Sequence, residues 1–82
     1  MVNVSYDPLF MRKIKKIKDQ GLRIKVKKQI KKIINSPESG KPMRHARKGT
    51  RELYIKPFRL SYAHIENEHK IVFLDLYHKD EQ

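Results

Sequence analysis

The side chains of this chain that could move protons or bind anions fall mainly in its second half. Glu52 supplies a carboxylate, Arg59 a guanidinium, and the stretch Tyr77-His78-Lys79 a phenol, an imidazole and an ammonium group. An imidazole changes its protonation state near neutral pH, and a guanidinium binds phosphate oxygens through a planar fork that stays charged. Such a set could bind a polyanion and move protons beside it. Whether these groups act together depends on the elements that carry them.

The charge of the chain indicates the kind of partner. Its 82 residues include 20 lysines and arginines against 9 acids, a formal net charge of +11. A one-sided surplus of this size attracts nucleic acid, the ribosome or an acidic protein. A charge-rich thermophile surface is the alternative, but such surfaces mix both signs.

Composition and hydropathy exclude several other classes of protein. The chain has no cysteine, which excludes disulfides and zinc sites built on cysteine. Its four histidines are scattered, so we expect no metal site held by the protein. Its apolar runs are too short to span a membrane, and its start lacks the pattern of a signal peptide. We therefore expect a cytoplasmic protein.

The first half of the sequence predicts one strand and two helices. Residues 2–6 alternate apolar and polar, as a short strand does. Asp7-Pro8 is a typical helix start, and apolar residues at helical spacing extend the first helix to about Lys18. Gly21 is the predicted break. A second helix then continues to about Asn35, just before a Ser-Pro pair.

The two predicted helices carry much of the positive charge. Eleven of the twenty basic residues lie between Arg12 and Lys32, with Asp19 as the one acid in that stretch. Most of these side chains can form a solvated outer face. Their mutual repulsion would nevertheless be relieved by a phosphate backbone or an acidic peptide. Ile24, opposite the apolar stripe of its helix, is a candidate contact for a protein partner.

In the second half the periodicity becomes alternating. It predicts a short strand from Met43 to Arg47 and further strands over 51–56, 58–65 and 69–77. The last of these is apolar on both faces at its centre, so we expect it inside the sheet. Residues 1–82 thus form one α+β domain. An N-terminal strand and a two-helix hairpin pack on one face of a mostly antiparallel sheet of four to five strands.

Side chains alternate across a strand, so parity predicts which residues lie on the uncovered face of the sheet. Leu53, Ile55, Leu60 and Tyr62 would face the helices. The opposite, open face would carry Glu52, Tyr54, Lys56, Arg59, Ser61 and Ala63, with Arg47, Arg51 and residues 77–79 near its rim.

Four stretches carry a resemblance to a known family. They are Tyr6-Asp7-Pro8, the strand Gly49-Thr50-Arg51-Glu52-Leu53-Tyr54-Ile55, the strand Phe58-Arg59-Leu60-Ser61-Tyr62, and Tyr77-His78-Lys79 at the end of the last strand. In order and length the layout resembles the RelE/ParE superfamily of toxins from bacterial and archaeal toxin–antitoxin modules. RelE-like members cut mRNA on the ribosome, ParE-like members poison DNA gyrase, and an antitoxin peptide wraps and silences the toxin.

The resemblance to the RelE branch implies RNA cleavage that needs no metal and no other cofactor, in which the substrate's 2′-hydroxyl attacks the adjacent phosphorus. Arg59 matches the family's catalytic arginine and would stabilise the phosphorane. His78 would be the general acid, and Lys79 could replace it or stabilise charge. Tyr77 could stack on a base or orient the 2′-hydroxyl, or it could only pack at the strand end.

The chain departs from the family's pattern in two ways. Where that pattern has two lysines, this chain has Glu52 and Tyr54. Glu52 could be the general base, or it could only pair with Arg51, Lys56 or Arg59. Other members carry a catalytic acid just after the Gly-Lys-Pro of the loop, whereas this chain has Met43.

Basic residues near the open face predict an RNA-binding surface. Four cations lie within eight residues and could clamp phosphates. The complete predicted set is Lys41, Arg44, Arg47, Lys48, Arg51, Tyr54 and Lys56.

These features leave three hypotheses for function. The leading one is a ribosome-dependent mRNA interferase that presents Arg59 and His78 to the message. The second is a ParE-like gyrase inhibitor, which needs no proton-transfer set. The third is a catalytically degenerate member that binds RNA or antitoxin. In each case we expect an antitoxin with an acidic, amphipathic segment, which could assemble with the toxin into a heterotetramer.

Overall fold

A computed structural model describes residues 2–43, 49–78 and 80. Its elements are the strand β1 (Asn3–Tyr6), the helices α1 (Pro8–Lys16) and α2 (Gln20–Asn35), a 3-10 turn (Pro37–Ser39), the strands β2 (Lys41–Pro42), β3 (Thr50–Ile55) and β4 (Phe58–Ile65), a second 3-10 turn (Glu66–Glu68), and the strand β5 (Lys70–His78).

Side-chain caps begin both helices. The Asp7 carboxylate accepts a hydrogen bond from the Leu9 amide at 2.9 Å, and proline follows at the first helical position. The Asp19 carboxylate accepts from the Leu22 amide at 3.2 Å and begins α2. The prediction that Gly21 breaks the helix is therefore wrong, because the cap at Asp19 sets the boundary and Gly21 lies inside the first turn of α2.

The five strands form one mixed sheet in the order β1-β5-β4-β3-β2. β1 pairs with β5 in parallel, and the remaining neighbours are antiparallel. This confirms the predicted α+β fold and places β5 inside the sheet. The strand predicted from Met43 to Arg47 is instead the short β2, which ends before Met43, and residues 44–47 lie outside the described residues.

The helices pack on one face of this sheet. Phe10, Val26 and Ile33 from the helices meet a buried sheet surface built largely from Leu60 and Phe73, with ring centroids of Phe10 and Phe73 5.6 Å apart. Burial of these side chains is the main stabilising contribution to a domain of this size. In the described part of the chain, no helix is long and apolar enough to cross a membrane.

A β-bulge in β5 changes which side chains face the helices. Ser61 pairs with Asp75 while the next residue, Tyr62, pairs with Phe73, so Leu74 is an extra residue in β5. An extra residue inverts the alternation of every side chain beyond it. The odd-numbered Ile71 and Phe73 are therefore buried before the bulge, whereas the even-numbered Leu76 is buried on the same face after it.

Candidate functional site

Three side chains lie side by side on the uncovered face of the sheet. Tyr54 of β3 pairs with Arg59 of β4, and Arg59 pairs with Tyr77 of β5. Paired residues of neighbouring strands share a face. Beside this row, Lys41 of β2 pairs with Glu52 of β3. We call the depression between them the open-face groove. It has a volume of about 470 Å³ and is lined by Ser39, Lys41, Met43, Glu52, Leu53, Tyr54 and Arg59.

Glu52 lies at the bottom of the open-face groove. It is 7% exposed, its Oε2 accepts a hydrogen bond from the Tyr77 hydroxyl, and its Oε1 lies 3.7 Å from Nη1 of Arg59. A buried carboxylate that is already engaged by two neighbours is badly placed to reach a substrate. Of the alternatives for Glu52, this geometry matches the ion pair with Arg59.

Arg59 and Tyr54 form the accessible part of the groove. A third of the Arg59 side chain is exposed, and Tyr54 is 54% exposed. A fixed guanidinium can bind phosphate oxygens, and a neighbouring exposed aromatic ring can stack on a base. With Lys41 across the groove, the arrangement combines two cations with an exposed aromatic ring.

His78 does not join this set, and the prediction that it acts beside Arg59 is wrong. It pairs with Phe58 on the face that the helices cover, and the two rings meet edge to face with centroids 5.5 Å apart. Its Nδ1 accepts a hydrogen bond from the Asp80 amide at 3.2 Å. The bulge at Leu74 is the physical reason, since it turns Tyr77 toward the groove and His78 away from it.

Arg51 and Lys56 also differ from their predicted role at the RNA surface. Arg51 pairs with Tyr62 on the helix side, and its Nη1 donates to the backbone oxygens of Gly40 at 2.8 Å and Glu38 at 3.4 Å. Lys56 follows β3 and borders a separate depression beside the start of α2. Both cations are therefore removed from the open-face groove.

Tyr62 holds in place the segment that forms one wall of the groove. Its ring is fully buried, its hydroxyl donates to the Pro37 carbonyl at 2.6 Å, and it accepts from the Gly40 amide at 2.8 Å. Together with Arg51 it fixes the chain that leads into β2 and Lys41. Sequence reasoning missed this role. The available signal was an inward-facing tyrosine, whose hydroxyl needs a polar partner when it is buried.

Comparison with known proteins now decides the family. Residues 4–82 match the family described as the ParE toxin of the type II toxin–antitoxin system, parDE. The chain belongs to this family. It is a toxin of a type II toxin–antitoxin system within the RelE/ParE superfamily. A comparison with curated protein sequences found no significant match.

Solved structures share the toxin's fold. A chain of the intact E. coli RelBE toxin–antitoxin complex aligns with a TM-score of 0.77 at 14% identity, covering 93% of this chain and 94% of that chain. A chain of a RelBE complex from Mycobacterium tuberculosis aligns with a TM-score of 0.80 at 23% identity, covering 95% and 98%. A YoeB/ParE toxin from Agrobacterium tumefaciens aligns with a TM-score of 0.82 at 11% identity, covering 94% and 98%. At such identities the likeness shows the fold alone.

The remaining predicted site residues of the toxin lie outside the described residues. They are Arg44, Arg47, Lys48 and Lys79. Their roles in RNA binding and charge stabilisation therefore stay predictions.

One group of described side chains in the toxin could hold a cation. Ligand atoms of Glu38, His64 and Glu66 lie within 4.8 Å of one another, and both glutamates are exposed. This group shares no residue with the open-face groove.

Replacing Gly40 with alanine is expected to loosen the groove wall. A Cβ at this position would lie 2.6 Å from the Tyr62 hydroxyl oxygen and 2.7 Å from its ring, so the segment must shift. We expect a loss of about 1 kcal/mol in the free energy of unfolding, the lower end for overpacking a buried position. Urea denaturation measures it, with Gly21→Ala in α2 as the matched control. Equal stability of the wild-type and Gly40→Ala proteins would contradict the tight fit.

Stability at alkaline pH should depend on Tyr62. Burial raises the pKa of its phenol above the ordinary value of 10.0, while the Gly40 hydrogen bond and the charge of Arg51 act in the opposite direction. A raised pKa means that the neutral phenol stabilises the fold. This contribution is complete below pH 10 and is lost as the pH rises through the raised pKa.

The Tyr62→Phe variant isolates this effect. It should cost about 1 kcal/mol near neutral pH through the lost hydrogen bonds. As the pH rises past the tyrosine pKa, the stability gap between the two proteins should narrow, since only the wild type has this phenol to ionise. Urea midpoints across the alkaline range measure the gap, and a gap that stays constant would contradict the expected linkage.

Proposed function

We propose that this toxin binds single-stranded RNA in the open-face groove and cleaves it without a metal ion, most productively in mRNA held on the ribosome. The observation that carries the proposal is Arg59. A third of its side chain is exposed on the uncovered face, where it is paired with the buried carboxylate of Glu52 and adjacent to the exposed ring of Tyr54. Phosphate binding and base stacking are thereby available within one groove.

In the proposed reaction the substrate's 2′-oxygen forms a bond to phosphorus and the bond to the 5′-oxygen breaks. Arg59 stabilises the charge of the phosphorane between these events. The 2′-hydroxyl loses its proton to water, and the departing 5′-oxygen takes one from the Lys41 ammonium or the Tyr54 phenol. Both groups line the groove. Tyr77 and Glu52 act from beneath by holding the guanidinium, and His78 has no part.

The ribosome would supply what this small site lacks. A message fixed in position removes the entropic cost of bringing the 2′-hydroxyl and the phosphate into line. The basic helix hairpin gives the toxin its attraction to ribosomal RNA. We further propose that a cognate antitoxin with an acidic, amphipathic segment neutralises this charge. Solved toxin–antitoxin complexes on the same fold support such a pairing.

Cell-free translation with purified toxin tests the proposal. New 5′ ends in the message, spaced in the reading frame, are the expected result, and their production should depend on Arg59. An intact message in stalled ribosomes would overturn it.

Inhibition of DNA gyrase is the second candidate. It is favoured by the position of His78, because an imidazole on the covered face leaves the groove without this proton carrier. A supercoiling assay separates the two functions. Loss of supercoiling activity together with intact RNA would favour the gyrase-binding function.

A further inference from the structure

A second depression lies on the side of the sheet opposite the open-face groove. We call it the reverse-face cleft. It has a volume of about 390 Å³ and lies between the end of α1, the link to α2, and the adjoining ends of β4 and β5. Its apolar lining consists of Ile17, Leu22, Phe58 and Leu76. The cleft and the groove share no residue.

The apolar lining of the cleft is accessible. Ile17, Leu22 and Phe58 are only half buried, although each also packs against the core. Phe58 and His78 meet edge to face, and the surface beside them is aliphatic. Such a lining favours insertion of a leucine-like side chain, because burial of aliphatic surface is the main gain that it offers.

The rim of the cleft is positively charged. Lys16 and Lys18 border it, together with the imidazole of His78. Two further charged residues at the cleft are already engaged. Lys13 forms an ion pair with Asp75 at 2.9 Å, and the Asp19 carboxylate caps α2. The cations that face a ligand therefore outnumber the acids, so the rim favours carboxylates on either side of an inserted apolar side chain.

We infer that the reverse-face cleft is the docking site for an acidic peptide segment that inserts one apolar side chain between Ile17, Leu22 and Phe58 and places carboxylates against Lys16 and Lys18. A second copy of this toxin fits badly, since each copy carries a net charge of +11. RNA fits less well than a peptide, since the exposed ring for base stacking, Tyr54, lies on the other face. This docking site is the surface that would contact the acidic antitoxin segment proposed above, and the inference rests on that proposal.

The test uses the whole toxin and a fluorescein-labelled peptide of repeated Glu-Glu-Leu, with a repeated Glu-Glu-Ala peptide as the probe for charge alone. Fluorescence anisotropy should show tighter binding of the leucine peptide. Ile17→Asp should weaken that binding about tenfold, as truncation of a central anchor contact does. His78→Ala, at a half-exposed site, should also weaken it and guards against misfolding of the first variant.

Matched variants exist on the same helices. Met11→Asp also places an acid at an apolar position, but at an exposed site of α1 outside the cleft lining, and Lys28→Glu reverses a charge away from the cleft. Both should change the affinity less than Ile17→Asp and Lys16→Glu, respectively. Equal binding of both peptides, or equal effects of cleft and control variants, would overturn the inference. The inference would also be overturned if an RNA oligonucleotide displaced the peptide from the wild-type toxin but not from the Arg59→Ala variant.

The peptide assay contains no message and no gyrase. Its result is therefore independent of whether the toxin cleaves RNA. If peptide binding fails while RNA is cleaved, the docking site is wrong and the enzymatic proposal stands. If the cleft variants weaken peptide binding as expected but RNA stays intact, the docking site stands and the enzymatic proposal is wrong.

Discussion

Replacement of Arg59 by alanine is expected to lower the rate of RNA cleavage by roughly two to three orders of magnitude, the usual cost of removing one donor aimed at a developing anion. The guanidinium is held toward the groove by Glu52, so its removal takes away the only described arginine that lines this site. Affinity for RNA should change much less, because Lys41, Tyr54 and the basic helices remain. Single-turnover cleavage and fluorescence anisotropy measure the two quantities separately.

Two comparisons make this prediction specific. Arg12→Ala removes one exposed arginine from α1 and serves as the charge-matched control, with expected cleavage near that of the wild type. Arg59→Lys keeps a charge but loses the planar fork, so it should restore only part of the rate. An Arg59→Ala toxin that is folded and cleaves as fast as Arg12→Ala would exclude Arg59 from the chemistry.

Substitutions at Glu52 should separate a positioning role from that of a general base. Glu52→Ala removes the carboxylate that accepts a hydrogen bond from the Tyr77 hydroxyl and pairs with Arg59. We expect a loss of about 2 kcal/mol in the free energy of unfolding, and roughly tenfold slower cleavage because Arg59 is less well held. Glu52→Gln retains the shape and one acceptor oxygen, so it should retain most of the stability and the rate.

The alternative has a different signature. If Glu52 took the 2′-hydroxyl proton, the glutamine variant would lose about a hundredfold or more in rate while remaining stable. Urea denaturation and single-turnover cleavage of the two variants therefore decide between the roles. Tyr77→Phe provides a further check, since it removes the other member of the hydrogen bond and leaves the carboxylate in place.

Local patterns were sufficient to predict most of the fold. The alternation from Phe58 to Ile65 predicted β4 with its observed ends, and the apolar spacing of the first half predicted both helices. These signals are local because a strand or a helix repeats its side-chain direction every few residues. The start of α2 was misplaced at Gly21 because the side-chain cap at Asp19 determines it. A glycine at this point could lie either before the helix or within its first turn.

The site depended on contacts that no local pattern contains. The Tyr62 hydroxyl bonds to residues 22 and 25 positions away, and Arg51 bonds to Gly40, 11 positions away. Parity correctly predicted Glu52, Tyr54 and Arg59 on the open face, because β3 and β4 pair without a break over these residues. The face of His78 depends on the bulge, which arises from the pairing of β4 with β5 and leaves no mark on the sequence of β5 alone.

The extra residue at Leu74 has an evolutionary consequence. Loss of that one codon would leave Phe73 and Asp75 adjacent, opposite Tyr62 and Ser61, so that Tyr77 would still lie opposite Arg59 and His78 opposite Phe58. The bulge is therefore a position at which the strand can lose a residue without moving any side chain from one surface of the toxin to the other.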